Sequence, residues 1–162
     1  MQGTAGYFGW LEASALSRAM RESLWMYPIV EIVHIIGFVL LVGSVAMFDF
    51  RILGLSKGLS VQRMGRHLLR WSVASLLLIV PAGLLMFSAH PQDFIGNRIF
   101  LIKMLLIVSA AINAAMFHLG TYRRVEQWDT QVPAPFSAKL HAGLSLLIWV
   151  SVISCGRLLA YT

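Results

Sequence analysis

Four long apolar stretches run roughly over residues 27–50, 68–89, 99–120 and 140–160, and all five histidines lie in them or near their ends. Each stretch reaches or exceeds the ~20 residues that a helix needs to cross a hydrocarbon core about 30 Å thick. Ionisable groups inside such helices are costly, so each one calls for a function or a partner. The chain therefore reads as an all-α membrane protein, an up-down-up-down bundle of four transmembrane helices joined by short loops.

Composition agrees. Of the 162 residues 58% are hydrophobic and 12% charged, where soluble domains carry about a quarter charged residues. Four spans and their loops use nearly the whole chain, which leaves one membrane domain over 27–162 and an N-terminal segment over 1–26.

The formal charge of +6 does not point to nucleic acid, because the basic residues are placed by topology. Arg51, Lys57, Arg63, Arg66 and Arg70 follow the first span. Arg123, Arg124 and Lys139 follow the third, partly offset by Glu126 and Asp129. The segment from His90 to Arg98 is nearly neutral. The positive-inside rule puts both basic loops in the cytoplasm and both termini on the periplasmic side of a bacterial inner membrane.

The first residues lack a basic stretch followed by an apolar run and do not read as a cleaved signal peptide. Residues 7–25 read as an interfacial amphipathic helix on the periplasmic side. Ala13, Leu16, Met20 and Leu24 share one face, and Ser14, Arg18, Arg21 and Glu22 the other. Tyr7, Trp10, Trp25 and Tyr27 fit an aromatic belt. Pro28 suits the first turn of the first span, and Pro81-Ala82-Gly83 predicts a kink in the second. Gly37, Gly43 and Ser44, with Ala110, Ala111, Ala114 and Ala115, predict close helix approach. Cys155 is the single cysteine and reads as a packing residue.

Helix rise converts position into depth at about 1.5 Å per residue. Glu31, His34, Met86, Lys103 and Arg157 share the outer half, with His90 further out. Asp49, Arg51, His67, Arg70, His118 and His141 share the inner half, and Asn113 lies somewhat deeper. One reading of the outer group is structural: Glu31 pairs with Lys103 or Arg157 to fix helix register, with His34 beside it. The other is that His34 is a ligand. Inward-facing histidines of helix bundles hold b-type haem. His118 and His141, at similar depth on consecutive antiparallel helices, form the best bis-histidine pair, with Arg70, Arg123 or Arg124 near the propionates. His34 would pair with Met86 or His90. His67, His90 and His141 also read as interfacial or carbonyl-capping residues. Copper is the alternative cofactor, through imidazole and the thioethers of Met47, Met86, Met104 or Met116. No hydrolase elbow, phosphate loop or metalloprotease motif is present.

Several segments resemble small bacterial inner-membrane proteins of no settled activity. Tyr27-Pro-Ile-Val-Glu31-Ile-Val-His34, Gly43 and Asp49-Phe-Arg51-Ile-Leu-Gly54 are similar to their first helix. Phe100-Leu-Ile-Lys103, Asn113 and Phe117-His118 are similar to the third, and Gly156-Arg157-Leu-Leu-Ala-Tyr161 to the last. More distantly the pattern resembles CopD-type copper-resistance membrane proteins and transmembrane b-type cytochromes. The resemblance to the small proteins points to Glu31, His34, Lys103, Arg157, Asp49, Arg51, Asn113 and His118, while His67, His90 and His141 lie outside the similar segments. With the depth reading, the expectation is an electron-transfer protein passing electrons between quinone and a redox partner protein, with one haem on His118 and His141 and an outer one on His34 with Met86 or His90. Glu31, Lys103, Arg157, Asp49, Arg51 and Asn113 would manage protons or charge. Two further functions stay open: copper or small-solute transport, and an accessory role in a homo-oligomer or larger membrane complex.

Overall fold

A computed structural model describes residues 8–161. The expected Tyr7 anchor and the first seven residues of the N-terminal segment lie outside them. The described chain is helical: α1 (Gly9–Glu12), α2 (Ala15–Glu22), α3 (Met26–Leu53), α4 (Val61–Ala89), α5 (Pro91–Gly96), α6 (Arg98–Leu119) and α7 (Phe136–Leu158), with a 3-10 segment at Thr121–Gln127. Helices α3, α4, α6 and α7 carry the four apolar stretches. Between 11% and 28% of each one's most apolar window is buried inside the protein, so most of each span is left to face lipid. This is a multi-pass membrane protein.

Helix α4 outgrows its apolar run because polar caps lie outside it. Ser60 accepts the amide of Arg63 at 3.1 Å, and the Asp129 carboxylate accepts that of Gln62 at 2.7 Å and the Ser60 hydroxyl at 2.8 Å. Together they start α4 seven residues before the hydropathy rises, by satisfying amides that a helix leaves open. Asn97 starts α6 in the same way, accepting the amide of Ile99 at 2.8 Å. Gly54 ends α3 with a φ of +118°, a left-handed cap that suits glycine.

Helix α3 packs along α4 and against α7, and α6 packs along α7. Between α4 and α6 the rings of Phe87 and Phe100 stack at 6.0 Å. The α3–α4 approach is tight at Gly37, where a Cβ would stand 2.9 Å from Ile79. Gly43 meets open space instead, and Ala111, Ala114 and Ala115 are exposed. Of the expected small residues, Gly37 makes the close approach and Ala110 is buried. Helix α4 carries through Pro81 without a break. One lost amide does not end a helix whose other bonds have no competing water.

The basic-loop end holds the main core, built on Phe48, Ile52, Phe117, Val125 and Trp128. Arg51 ties it together. Only 3% exposed, its guanidinium donates to the carbonyls of Leu59 (2.7 Å), Lys57 (3.1 Å) and Asp129 (3.0 Å). It thus joins the α3–α4 loop to the α6–α7 loop and closes that end of the bundle.

The N-terminal segment is two short helices rather than one. Ser14 caps α2 by accepting the amide of Ser17 at 3.2 Å, and Ser17 and Met20 are buried. Ala13, Leu16 and Leu24 are exposed, so of the expected apolar face only Met20 is buried. Arg21, expected on the polar face, donates to the carbonyl of Ala89 at 3.0 Å and to that of Glu12 at 2.8 Å. The C-terminal carbonyls of α4 need a donor, and this arginine supplies one.

Candidate functional site

Two imidazoles are held by the same device at opposite halves of the bundle. His34, half-buried on α3, places Nδ1 3.0 Å from the carbonyl oxygen of Ile79 on α4. A carbonyl only accepts, so Nδ1 carries the hydrogen and Nε2 of the neutral ring keeps its lone pair. Gly83 makes room for the ring: a Cβ there would lie 3.2 Å from Cε1 of His34. Met86 is three residues further along α4, on nearly the same face.

His141 on α7 is locked more firmly. The Asn113 amide nitrogen donates to the His141 carbonyl at 3.0 Å, and Nδ1 of His141 lies 2.7 Å from Oδ1 of Asn113. The backbone carbonyl fixes which end of the amide faces it, so Oδ1 must face the ring. Nδ1 is then the donor, and Nε2 is again left with a lone pair. Asn113 is 7% exposed, and each of these bonds is worth about 1 kcal/mol.

The remaining candidates divide. Lys103 is half-buried, makes no hydrogen bond or ion pair with any described residue, and has its Nζ 3.8 Å from where a Cβ of Gly156 would stand. Glu31 and Lys103 are the charged groups whose fields reach the His34 ring. The expected pairing of Glu31 with Lys103 or Arg157 is not formed. Glu31 is exposed, because residues three apart on a helix differ by about 60° in direction and His34 takes the inward one. Arg157 is also exposed, and curls back onto Tyr161, 2.5 Å from its hydroxyl and 4.8 Å from the ring centre. His90 ends α4, half-exposed and 3.7 Å from Asp93, roughly 10 Å beyond Gly83 by helix rise. His67 is exposed.

His118 and His141 share one neighbour, Phe117. His118 packs edge-on against Phe117 and Tyr122, with centroids 5.2 and 5.1 Å away. Phe117 also meets the His141 ring, at 6.1 Å. Asp49 is 5% exposed, and its Oδ2 has no hydrogen-bond partner. The Ser145 hydroxyl, one helical turn beyond His141, is the side chain that acts on this carboxyl. Arg51, grouped with Asp49 by depth, serves the loop knot. Among the described residues no three His, Cys, Asp or Glu side chains converge as metal ligands would.

Tyr122, in the 3-10 segment beyond α6, lays its hydroxyl against Gly65 of α4, where a Cβ would stand 2.7 Å away. Burial pushes its phenol above the ordinary value of 10.0; Arg66 opposes this, and Asp129 adds to it.

Sequence reasoning missed the partners rather than the residues. The acceptor of His34 is a backbone carbonyl that no side chain marks, and Gly83 was the one available sign. Asn113 was singled out for depth without its link to His141.

Comparison with protein families matches residues 7–162 to a family of unknown function, DUF6644. No curated protein and no solved structure matches the chain.

Proposed function

The chain belongs to the DUF6644 family, and from its own geometry we propose that it is a membrane electron-transfer protein that holds b-type haem through His34. The observation that carries this reading is the Nδ1–H bond to the Ile79 carbonyl at 3.0 Å. Ligating histidines nearly always donate their other ring nitrogen to a carbonyl, carboxylate or water, which fixes the ring and raises the basicity at the metal.

The surrounding residues suit such a group. Met86 offers a thioether on the same stretch of α4, and the unpaired Lys103 ammonium suits a propionate. The aliphatic spans keep water away. A haem bound through imidazole supplies reversible one-electron chemistry. The protein's part is to orient Nε2, hold a compensating charge at Lys103 Nζ and set the local polarity. With the basic loops facing the cytoplasm of a bacterial inner membrane, the His34 half faces the periplasm. Electrons would then move between a membrane quinone and a redox partner on that side.

The test is the haem content of protein purified in mild detergent from haem-replete cells. About one haem per chain is the expected result. Haem-free protein co-purifying with larger membrane subunits would replace this reading with an accessory role.

A further inference from the structure

Helices α6 and α7 leave a groove of about 600 Å³ between them. Its walls are aliphatic, and Ile112, Met116, Leu144 and Leu147 are each 44–64% exposed on the lipid-facing surface. It runs from Leu106 to Met116 on α6 and from Leu140 to Ser151 on α7, roughly 15 Å by helix rise. A long apolar tail from the bilayer suits this groove.

The polar atoms at the groove decide its head. The Ser109 hydroxyl donates to the Leu105 carbonyl at 2.8 Å, and that of Ser151 to the Leu147 carbonyl at 2.9 Å. The ring N–H of His141 is taken by Asn113. His141 thus offers the groove an acceptor, the Nε2 lone pair, near the end of α7 that meets the membrane surface. Beside the neutral ring, phosphate and carboxylate oxygens are acceptors that meet no donor. A phenolic O–H is a donor and is favoured.

We propose that this groove binds an isoprenoid quinol, its tail along Leu106, Leu144 and Leu147 and its phenolic O–H donating to Nε2 of His141. The choice of a redox-active alcohol over an inert one rests on the electron-transfer reading; the groove and its acceptor do not.

The test is photolabelling of the full-length protein in lipid nanodiscs with a decyl-tailed azidobenzoquinol, with labelled peptides mapped by mass spectrometry. Label should concentrate in residues 106–116 and 140–151, and fall at least fivefold in His141→Phe and in Leu147→Trp. Leu147 is 64% exposed, so its replacement fills the groove without disturbing the core. Label spread evenly over all lipid-facing helices, or surviving in both variants, overturns the proposal. Equal labelling by a matched alkyl azide without a hydroxyl also overturns it. His34→Ala separates the two readings: it removes haem and leaves groove labelling intact. Haem-free wild-type protein that labels in the groove keeps this site and ends the haem reading. Coloured protein that does not label does the reverse.

Discussion

His34 and Gly83 are matched across the α3–α4 interface: the imidazole edge occupies the place where any larger residue would put its Cβ, 3.2 Å from Cε1. Gly83→Ala should change stability little. The gain of about 1 kcal/mol in helix propensity offsets the crowding. It should nevertheless displace the ring and lengthen its bond to Ile79. The check is a melting temperature in detergent within a few degrees of wild type, together with a perturbed absorption spectrum of any bound haem.

Asn113 joins α6 to α7 through two bonds to one residue, and Asn113→Leu removes both. The ring N–H of His141 then loses its partner and its carbonyl a second donor, at a cost of about 2 kcal/mol. Asn113→Asp should lose less, because a carboxylate still accepts the ring N–H although it cannot donate to the carbonyl. Thermal unfolding should show the larger loss in Asn113→Leu; full stability in Asn113→Leu would refute the two assigned bonds.

Arg51→Lys should destabilise the protein by roughly 3 kcal/mol or more. Three carbonyls in two loops depend on the fork of the guanidinium, and an ammonium is a single point of donation. A sharp fall in folded yield, with proteolysis appearing in the loops after α3 and α6, is the expected result.

Tyr122 predicts an alkaline limit. Its phenol titrates higher in the folded state than in the unfolded chain. Its contribution is therefore fully present below about pH 10 and lost as pH rises from the unfolded value through the folded one. Tyr122→Phe should flatten this decline in melting temperature. It should also relieve part of the damage from Gly65→Ala, whose Cβ would stand 2.7 Å from the tyrosine hydroxyl.

The spans were legible because lipid imposes one requirement, a long apolar run, that hydropathy measures directly. Their ends were not. The caps that begin α4 come from Ser60 and from Asp129, distant in sequence, and the helix runs on through polar residues. Of the candidate site, His34, Asn113 and His141 stood out as polar groups at membrane depth, but depth alone says nothing of direction. Glu31 and His34 are three residues apart, yet one faces outward and the other inward. Arg51 read as a charge near a redox site because a loop knot made of backbone carbonyls leaves no pattern in side chains.

The proposal that Nε2 of His34 ligates haem is tested most directly by a dithionite-reduced minus oxidised spectrum of the purified protein. Wild type and His67→Ala should both show the Soret shift and α-band of a b-type haem, and His34→Ala should lose them. A colourless wild-type preparation from haem-replete cells, or bands that persist unchanged without His34, would contradict the account.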